Sequence, residues 1–418
     1  MEAVVIGGGH AGLAVSQQLS QLGVDHLVLE RGRIGESWRS QRWDSFALNT
    51  PTWMNRLPGE SRADLQGPAD GFLTHQRFAG HLDRYAGQWS LPVHEHTRVD
   101  RVERLTDGHG FRVIADGAGR EAIETRSVVV ASGAMNVPRI PEMAGSLPAG
   151  IHQVSALTYE RPDALPPGAV LVVGAGQSGG QIVEDLLLAG RTVYWSLSAV
   201  ARQPRRYRGR DTLDWLVESG FFAATTEQVA DPAERNATIP LISGVGRHGH
   251  TLSVQWLADR GARLLGRITA IDGSSLLLDD TVGDCVRFGD ERAARICAAI
   301  DGFIRDSGTP MPPIEPDEAN TFHPDASSLH SPDRIDLSAQ GIGSVVWATG
   351  VSGDFSYLPQ ASLDSDGRPL QQGGAGAMPG LFFVGLPWMT HRSSAILHGP
   401  MSDAGPVARM VAEHAGRR

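Results

Sequence analysis

The chain has 418 residues, of which 41% are hydrophobic and 20% are charged, and its formal net charge is −10. This length accommodates two or three domains with their own cores, and the acidic balance argues against a nucleic-acid partner. No apolar run approaches the ~20 residues of a membrane span, and the N-terminus lacks a signal-peptide pattern. We therefore expect a cytoplasmic protein with no membrane partner.

Several kinds of chemistry are excluded by residue usage. Every basic residue is arginine, so no lysine can form a Schiff base or act as a tuned base. Cys285 and Cys297 are twelve residues apart, which matches neither a metal-ligand spacing nor a C-x-x-C redox pair. Hydrolase, zincin and P-loop motifs are also missing from the sequence. We expect buried structural thiols and no metal site.

The first predicted element is a buried strand that begins at Ala3 and leads through the turn GGGHAG into a helix. In a G-x-G-x-x-G register, Gly7 permits a tight turn, Gly9 lets backbone N–H groups approach a pyrophosphate, and Gly12 allows close helix packing. The next strand, HLVLE, ends in Glu30, whose carboxylate can accept hydrogen bonds from ribose hydroxyls. The pattern predicts a site for FAD or NAD.

The following elements form a plan that the chain uses twice. Residues 98–117 alternate in polarity about a glycine turn, which predicts an antiparallel meander, and VVVASG (128–133) predicts a buried strand. From Val170, VLVVGAGQSGG begins a second strand, turn and helix. A second meander (264–280) and a closing strand, VVWATG (345–350), follow it. Two nucleotide-binding domains of similar design are the simplest account.

The second glycine turn repeats the register of the first. Gly174, Gly176 and Gly179 occupy the three glycine positions, and Gln177 and Ser178 lie between them. All five are predicted to contact the second dinucleotide, with its pyrophosphate at the N-terminus of the helix.

The strand after this turn differs from its counterpart in the first domain. The residue equivalent to Glu30 is Leu197, and the strand TVYWSLS offers Ser196 and Ser198 ahead of a basic run. Hydroxyls and arginines in place of an acid suit a ribose 2′-phosphate, so Arg202 and Arg205 are predicted NADPH ligands. The sequence leaves open which arginine binds the 2′-phosphate. The alternative interpretation of the basic run is a solvated loop or a patch for another polyanion.

Two dinucleotides on one chain imply electron transfer between them, so the first site is assigned to FAD and the second to NADPH. The fold is predicted to be α/β, with two Rossmann-like dinucleotide-binding domains and the NADPH domain inserted into the FAD domain. The predicted boundaries are 1–150 and 353–418 for the FAD-binding domain and 151–352 for the NADPH-binding domain. Further predicted segments are straps at 136–150 and 351–360, a functionless surface loop at 309–328, a strand at 380–386 and a last helix formed by residues 393–414.

The segment GESWRSQRWDSFALNTP (35–51) resembles the flavin-contacting segment of the class B, single-component flavin monooxygenases. This family includes flavin-containing monooxygenases, N-hydroxylases, Baeyer–Villiger enzymes and YUCCA-type enzymes. PRIP, VLVVGAGQSG and WATG occur in the family's order, so the resemblance spans nearly the whole chain and is greatest to bacterial flavoproteins described as monooxygenases. The family fingerprint around His152 is not intact, and Val351 stands where many members have tyrosine, which weakens assignment to the Baeyer–Villiger or microsomal subgroups.

The resemblance implies roles for individual residues. Gly35 and Trp38 would lie against the flavin, and Asn49 would match the catalytic asparagine near the isoalloxazine. An Asx-type turn before Pro51 is the alternative for Asn49. Further predicted contacts of the first dinucleotide are Arg31, Val99 and Gly385.

The resemblance also implies an NADPH- and O₂-dependent monooxygenase that forms a flavin hydroperoxide and oxygenates a small molecule at a nitrogen, sulfur or activated carbon centre. Two alternatives are an NADPH-dependent flavin oxidase or reductase that produces H₂O₂, and a redox-sensing regulatory flavoprotein. The substrate and the oligomeric state, including a homodimer, are left open by the sequence.

Overall fold

A computed structural model describes residues 1–65, 67, 71–106, 108–117, 120–229, 231–235, 241, 249–323 and 325–416. Up to the first strap, its elements are β1 (Ala3–Ile6), α1 (His10–Gln21), β2 (His26–Leu29), α2 (Glu36–Ser40), α3 (His75–Gln88), β3 (Val93–His94), β4 (Arg98–Arg104), β5 (Phe111–Asp116), β6 (Arg120–Thr125), β7 (Ser127–Val130) and β8 (Val137–Pro138).

The middle of the chain holds the second set of elements. They are β9 (His152–Ser155), β10 (Ala169–Val173), α4 (Gln177–Leu188), β11 (Val193–Ser196), β12 (Arg206–Tyr207), β13 (Arg210–Asp211), α5 (Thr212–Glu218), α6 (Pro232–Arg235), α7 (Val254–Asp259), β14 (Arg263–Leu265), β15 (Ile268–Asp272), β16 (Ser275–Leu278), α8 (Val282–Asp306), β17 (Arg334–Asp336), β18 (Ile342–Trp347) and β19 (Val351–Ser352). The chain then forms β20 (Gln371–Gln372), β21 (Ala375–Gly376), β22 (Leu381–Phe383) and α9 (Pro400–His414).

The first domain is built on a seven-stranded sheet in the order β20-β21-β22-β7-β1-β2-β3. Its central strands pair in parallel, with Ile6 of β1 opposite both Leu29 and Val130. All four residues of β1 and of β7 are buried, which is typical of parallel strands covered on both faces. Helices α1 and α9 pack against each other, and β4, β5 and β6 form the predicted antiparallel meander.

The second domain is built on a five-stranded parallel sheet in the order β14-β11-β10-β18-β9. The glycine turn follows its central strand β10, as the first turn follows β1, and β15, β16 and β17 form a second meander. The repeated plan predicted from the sequence is therefore present in both sheets.

The first sheet regains strands after the second sheet is complete, since β22 pairs with β7. The second domain is thus inserted into the first, and the predicted α/β fold class is confirmed. The two straps run side by side, because β8 and β19 pair antiparallel through Val137 with Ser352 and Pro138 with Val351. The boundaries after residues 150 and 352 stay a prediction.

Two local predictions differ from the structure. The last helix begins at Pro400, not near residue 393, and a proline at the first helical position is a common start signal. The proline-rich loop 309–328 is more than a surface loop. Its Ala319 is buried and its Asn320 side chain accepts a hydrogen bond from Arg202 at 2.6 Å, so the loop packs onto the second domain.

Candidate functional site

A cleft with about 1370 Å³ of empty space, part of it open to solvent, lies at the carboxyl edge of the first sheet. Segments that follow β1, β2, β7 and β22 line it, together with the start of α2 and the residues before α9. Ligands of open parallel sheets bind at this edge. The predicted contacts of the first dinucleotide that line the cleft are Gly7, Gly9, Glu30, Arg31, Gly35, Trp38, Val99 and Gly385.

The three glycines of the first turn have the geometry that their predicted roles require. Gly7 has a φ of +111°, and a Cβ there would lie 2.5 Å from the Ala131 carbonyl oxygen. A Cβ on Gly12 would lie 1.9 Å from the Gly7 carbonyl oxygen, so α1 can pack on the turn only with glycine at this position. Nothing lies within 4 Å of a Cβ on Gly9, which leaves the N-terminus of α1 open toward the cleft.

Glu30 lies at the end of β2 and is 7% exposed. Its Oε2 accepts a hydrogen bond from the Gly8 N–H at 2.7 Å, and its Oε1 accepts one from the Gly32 N–H at 2.9 Å. Burial raises the pKa of this carboxyl. Because each carboxylate oxygen has a second lone pair, Glu30 can still accept hydrogen bonds from two ribose hydroxyls.

Two further cleft residues, His10 and Arg42, are not singled out by the sequence pattern. Burial and the neighbouring His81 lower the pKa of His10 to about 3, and its Nε2 has no hydrogen-bond partner among the described residues. The Arg42 guanidinium lies 4.8 Å from the centre of the Trp38 ring, and burial lowers its pKa to about 10. The cleft therefore offers a neutral imidazole and a partly desolvated cation to a phosphate-bearing ligand.

The second glycine turn reproduces the first almost atom for atom. Gly174 has a φ of +112°, and a Cβ on Gly179 would lie 2.0 Å from the Gly174 carbonyl oxygen. Nothing lies within 4 Å of a Cβ on Gly176, and Ser178 is exposed in the first turn of α4. This turn can therefore approach a second pyrophosphate in the same way.

Asn49 does not line the cleft but lies against the N-terminal part of α4. Its Oδ1 accepts hydrogen bonds from the side-chain amides of Gln177 at 3.4 Å and Gln181 at 3.3 Å, and its carbonyl accepts one from Arg205 at 2.5 Å. The Asn49 side chain thus links the segment 35–51 to the second glycine turn, instead of closing an Asx turn on its own backbone. Its role beside an isoalloxazine stays a prediction.

Arg202 and Arg205 are both buried and paired with carboxylates, and their role as phosphate ligands stays a prediction. Arg202 is 3% exposed and donates two hydrogen bonds to Asp290, at 2.7 and 2.8 Å. Arg205 is 1% exposed and is paired with Asp211 at 2.6 Å. A ligand would have to displace a buried carboxylate from either arginine, and breaking such a pair is costly. The same run contains the ion pairs Arg208–Asp301 and Arg210–Glu218.

The two predicted serine ligands lie in different surroundings. Ser196 is buried and its hydroxyl donates to the Gly266 carbonyl at 2.9 Å, so it joins β11 to the end of β14 instead of facing a ligand. Ser198 is half-buried beyond the end of β11. Of the four residues predicted for the 2′-phosphate, only Ser198 lies at the sheet edge with its side chain uncommitted.

Other kinds of site are not seen in the described part of the chain. Cys285 and Cys297 are both free thiols on α8, burial raises the pKa of each, and neither lines the cleft. Within the described ranges, no three histidine, cysteine or acidic side chains are grouped closely enough to hold a metal ion. None of the helices described is both long and apolar enough to cross a membrane.

Known proteins resemble this chain over nearly its full length. An uncharacterized CzcO-like oxidoreductase of Geobacillus kaustophilus is 27% identical over 417 residues, covering 99% of both chains. Indole-3-pyruvate monooxygenase YUCCA4 of Oryza sativa is 29% identical over 247 residues, covering 51% of this chain and 55% of that protein. The solved flavin-containing monooxygenase of Stenotrophomonas maltophilia superimposes with a TM-score of 0.65 and 18% identity, covering 99% of this chain and 98% of that one.

These relatives confirm the predicted resemblance to the single-component flavin monooxygenases. The family profile described as pyridine nucleotide-disulphide oxidoreductase matches residues 4–219, just over half of the chain. This family uses FAD and NAD(P)H, which agrees with a flavin at the first turn and a nicotinamide nucleotide at the second. The chain is an oxidoreductase that belongs to the pyridine nucleotide-disulphide oxidoreductase family.

Proposed function

We propose that this protein is an NADPH- and O₂-dependent flavoprotein monooxygenase that oxygenates a small molecule at a nitrogen, sulfur or activated carbon centre. The observation that carries the proposal is the link between two dinucleotide-type turns. The amides of Gln177 and Gln181, at the second turn, meet Asn49, which belongs to the segment that begins at Gly35 beside the first. A hydride donor and a flavin are best placed to react when their sites adjoin in this way.

The proposed division of labour follows the two domains. Residues 1–150 and 353–418 form the FAD-binding domain, and residues 151–352 form the NADPH-binding domain. FAD, when bound, supplies the chemistry, because it accepts a hydride and activates dioxygen. No step of that chemistry requires a cysteine pair, and the two cysteines of the chain lie twelve residues apart on α8.

The chain's own residues hold and orient the cofactors. The Gly7–Gly12 turn and the start of α1 would bind the pyrophosphate, and Glu30 would bind the ribose. Trp38, Ile396 and Leu397 line the cleft with apolar surface, which would exclude water from the reacting atoms. The Asn49 amide would orient the nicotinamide carboxamide or the edge of the flavin ring, since it lies where the two domains meet.

The proposal is tested on the purified full chain. We expect it to retain FAD, to oxidise NADPH, and to release less H₂O₂ than the NADPH it consumes once an amine, a sulfide or an enolisable ketone from a panel is added. Release of one H₂O₂ per NADPH with every compound would establish an oxidase instead. Binding of both nucleotides without steady NADPH oxidation would favour a redox-sensing regulator. We also propose a cytoplasmic location, which agrees with the two free thiols.

A further inference from the structure

We infer that Arg267, at the carboxyl end of β14, recognises the ribose 2′-phosphate and sets the preference of the second site for NADPH over NADH. The inference rests on the proposed function, because it assumes that a nicotinamide nucleotide binds at the second glycine turn. Four of the five arginines of the basic run are held by carboxylates, and the fifth, Arg206, is exposed and donates to the Gly209 carbonyl at 3.1 Å. Arg267 instead follows β14, the strand next to β11 in the same sheet.

The strand register places Arg267 at the position where a 2′-substituent must lie. In the first domain, the ribose-binding acid is the residue directly after β2, and the equivalent residue after β11 is Leu197. The β11–β14 ladder pairs Ser196 with Leu265, and the Leu197 N–H donates to the Leu265 carbonyl at 2.9 Å. Ser198 and Arg267 each lie two residues beyond the last pair of this ladder, so they follow adjacent strands at the same edge of the sheet.

The surroundings of Arg267 leave its guanidinium available. The residue is exposed, and its side chain makes no ion pair with any described residue. Its backbone is fixed, because its N–H donates to Asp279 Oδ1 at 2.7 Å and its carbonyl accepts from the Asp279 N–H at 3.0 Å. Asp279 also accepts a hydrogen bond from the Thr281 hydroxyl at 2.7 Å, so this carboxylate is already engaged.

The backbone beside Arg267 is fixed from a second side. The Gly266 N–H donates to the Ser331 hydroxyl at 2.9 Å, and the Gly266 carbonyl accepts from the Ser196 hydroxyl at 2.9 Å. Unlike the side chain of Arg267, those of Arg202, Arg205, Arg208 and Arg210 are each held by a carboxylate.

This arrangement discriminates between the two nucleotides by chemistry alone. A guanidinium and a hydroxyl together can bind a phosphate through charge-assisted hydrogen bonds. The Leu197 side chain, 1% exposed, offers no acceptor to a free 2′-hydroxyl, whereas Glu30 offers two oxygens at the equivalent place. Loss of one charge-assisted contact corresponds to about a 10- to 100-fold loss of affinity.

The test measures nucleotide binding to the FAD-loaded full chain by calorimetry, with NADP⁺, NAD⁺, 2′,5′-ADP and 5′-AMP as probes. We expect Arg267→Ala to weaken NADP⁺ and 2′,5′-ADP by about 10- to 100-fold and to leave NAD⁺ and 5′-AMP unchanged. Arg77→Ala, which removes an exposed arginine of α3, is the matched control and should change none of the four. Thermal unfolding of both variants checks that the fold is kept.

The outcomes separate the inference from the proposed function. Wild-type-like binding of 2′,5′-ADP by Arg267→Ala would overturn the inference and leave the proposed function standing. Equal affinity of the wild-type chain for NADP⁺ and NAD⁺ would also overturn the inference alone. Failure of the wild-type chain to bind any of the four probes would overturn both.

Discussion

The two domains share the shape of their glycine turns and differ in what lies around them. The φ values at Gly7 and Gly174 agree within one degree, and the contacts that a Cβ would make at Gly12 and Gly179 agree within 0.1 Å. The residue after the second strand, however, is Glu30 in one domain and Leu197 in the other. We therefore propose that the turn fixes where a pyrophosphate binds and that the strand end decides which ribose is accepted.

The two turns also differ in which part of the protein lies next to them. The first opens onto the cleft, whereas the second is approached by a segment of the other domain. Asn49 accepts hydrogen bonds from Gln177 and Gln181, and Ser45 donates to Asp185 at 2.6 Å. A deep cleft suits a cofactor that stays bound, and a turn at a domain interface suits a nucleotide that enters and leaves. Four predictions would sharpen or break this comparison.

The largest expected effect tests whether the basic run is structural. Arg202→Ala leaves the Asp290 carboxylate buried without its cation, so we expect a loss of about 3–5 kcal/mol in the free energy of unfolding. The affinity ratio of NADP⁺ to NAD⁺ should not change. Denaturant unfolding and nucleotide titration measure the two quantities. The control variant Arg210→Ala removes an exposed partner of Glu218 and should lower the free energy of unfolding by less than about 1 kcal/mol. A change in the affinity ratio of NADP⁺ to NAD⁺ with Arg202→Ala would instead support Arg202 as a ligand of the 2′-phosphate.

The next prediction tests whether each glycine turn binds its own cofactor. A methyl group at Gly12 or Gly179 has no room, so each alanine variant should lose roughly 3 kcal/mol of stability through overpacking. Gly12→Ala should lose FAD, whereas Gly179→Ala should keep FAD and lose NADP⁺ binding. Flavin absorbance after gel filtration and NADP⁺ titration report the two outcomes.

Matched controls for these variants are Gly9→Ala and Gly176→Ala, where a Cβ meets nothing within 4 Å. These should leave the stability of the cofactor-free chain unchanged and weaken only the nucleotide at their own turn. Loss of FAD from Gly176→Ala would contradict the assignment of the turns.

A smaller effect is expected at the ribose carboxylate. Glu30→Gln replaces an acceptor pair that binds Gly8 and Gly32 with an amide that can accept at only one atom. We expect FAD affinity to fall by about 10- to 100-fold, since charge-assisted hydrogen bonds contribute about 1.5–3 kcal/mol. Fluorescence titration of the cofactor-free chain with FAD measures this, and Glu291→Gln, an exposed acid of α8, is the control. An unchanged FAD affinity would remove Glu30 from the ribose site.

The smallest effect is a pH dependence that comes from His10. Burial lowers the pKa of His10 from its ordinary value of 6.5 to about 3 in the folded protein, so the unfolded chain binds the extra proton between these pH values. Stability should therefore fall as pH falls below 6.5, by about 1.4 kcal/mol per pH unit from this group. His10→Gln should flatten the fall between pH 5.5 and 4.5 by that amount, as measured by denaturant unfolding. The control variant His152→Gln, at an exposed position, should leave this fall in stability unchanged. An equal dependence of stability on pH in the wild type and in His10→Gln would refute the buried neutral imidazole.

The sequence predicts those features whose determinants are local. Each strand, turn and helix lies within one continuous segment, so the glycine positions and Glu30 follow from spacing alone. The internal repeat also identifies the insertion of one domain into the other, because the first plan is interrupted before its last strand and helix.

Features set by distant parts of the chain could not be predicted. Arg202 follows the discriminating strand, but its partners Asp290 and Asn320 are 88 and 118 residues away, and no local pattern shows that they neutralise it. Arg267 lies 69 residues after Ser198, and its position depends on β14 being the neighbour of β11. The burial of His10 likewise depends on Phe78 and His81 of α3.

The pairing of β8 with β19 has a mechanical consequence. Both crossings of the chain between the domains pass through this two-stranded ribbon. The two crossings are therefore tied to each other by backbone pairing, and neither can slide along the other without breaking the pairs Val137–Ser352 and Pro138–Val351. The wall of the cleft at Ser132–Asn136 leads directly into this ribbon, so the fixed crossing also holds that wall in place.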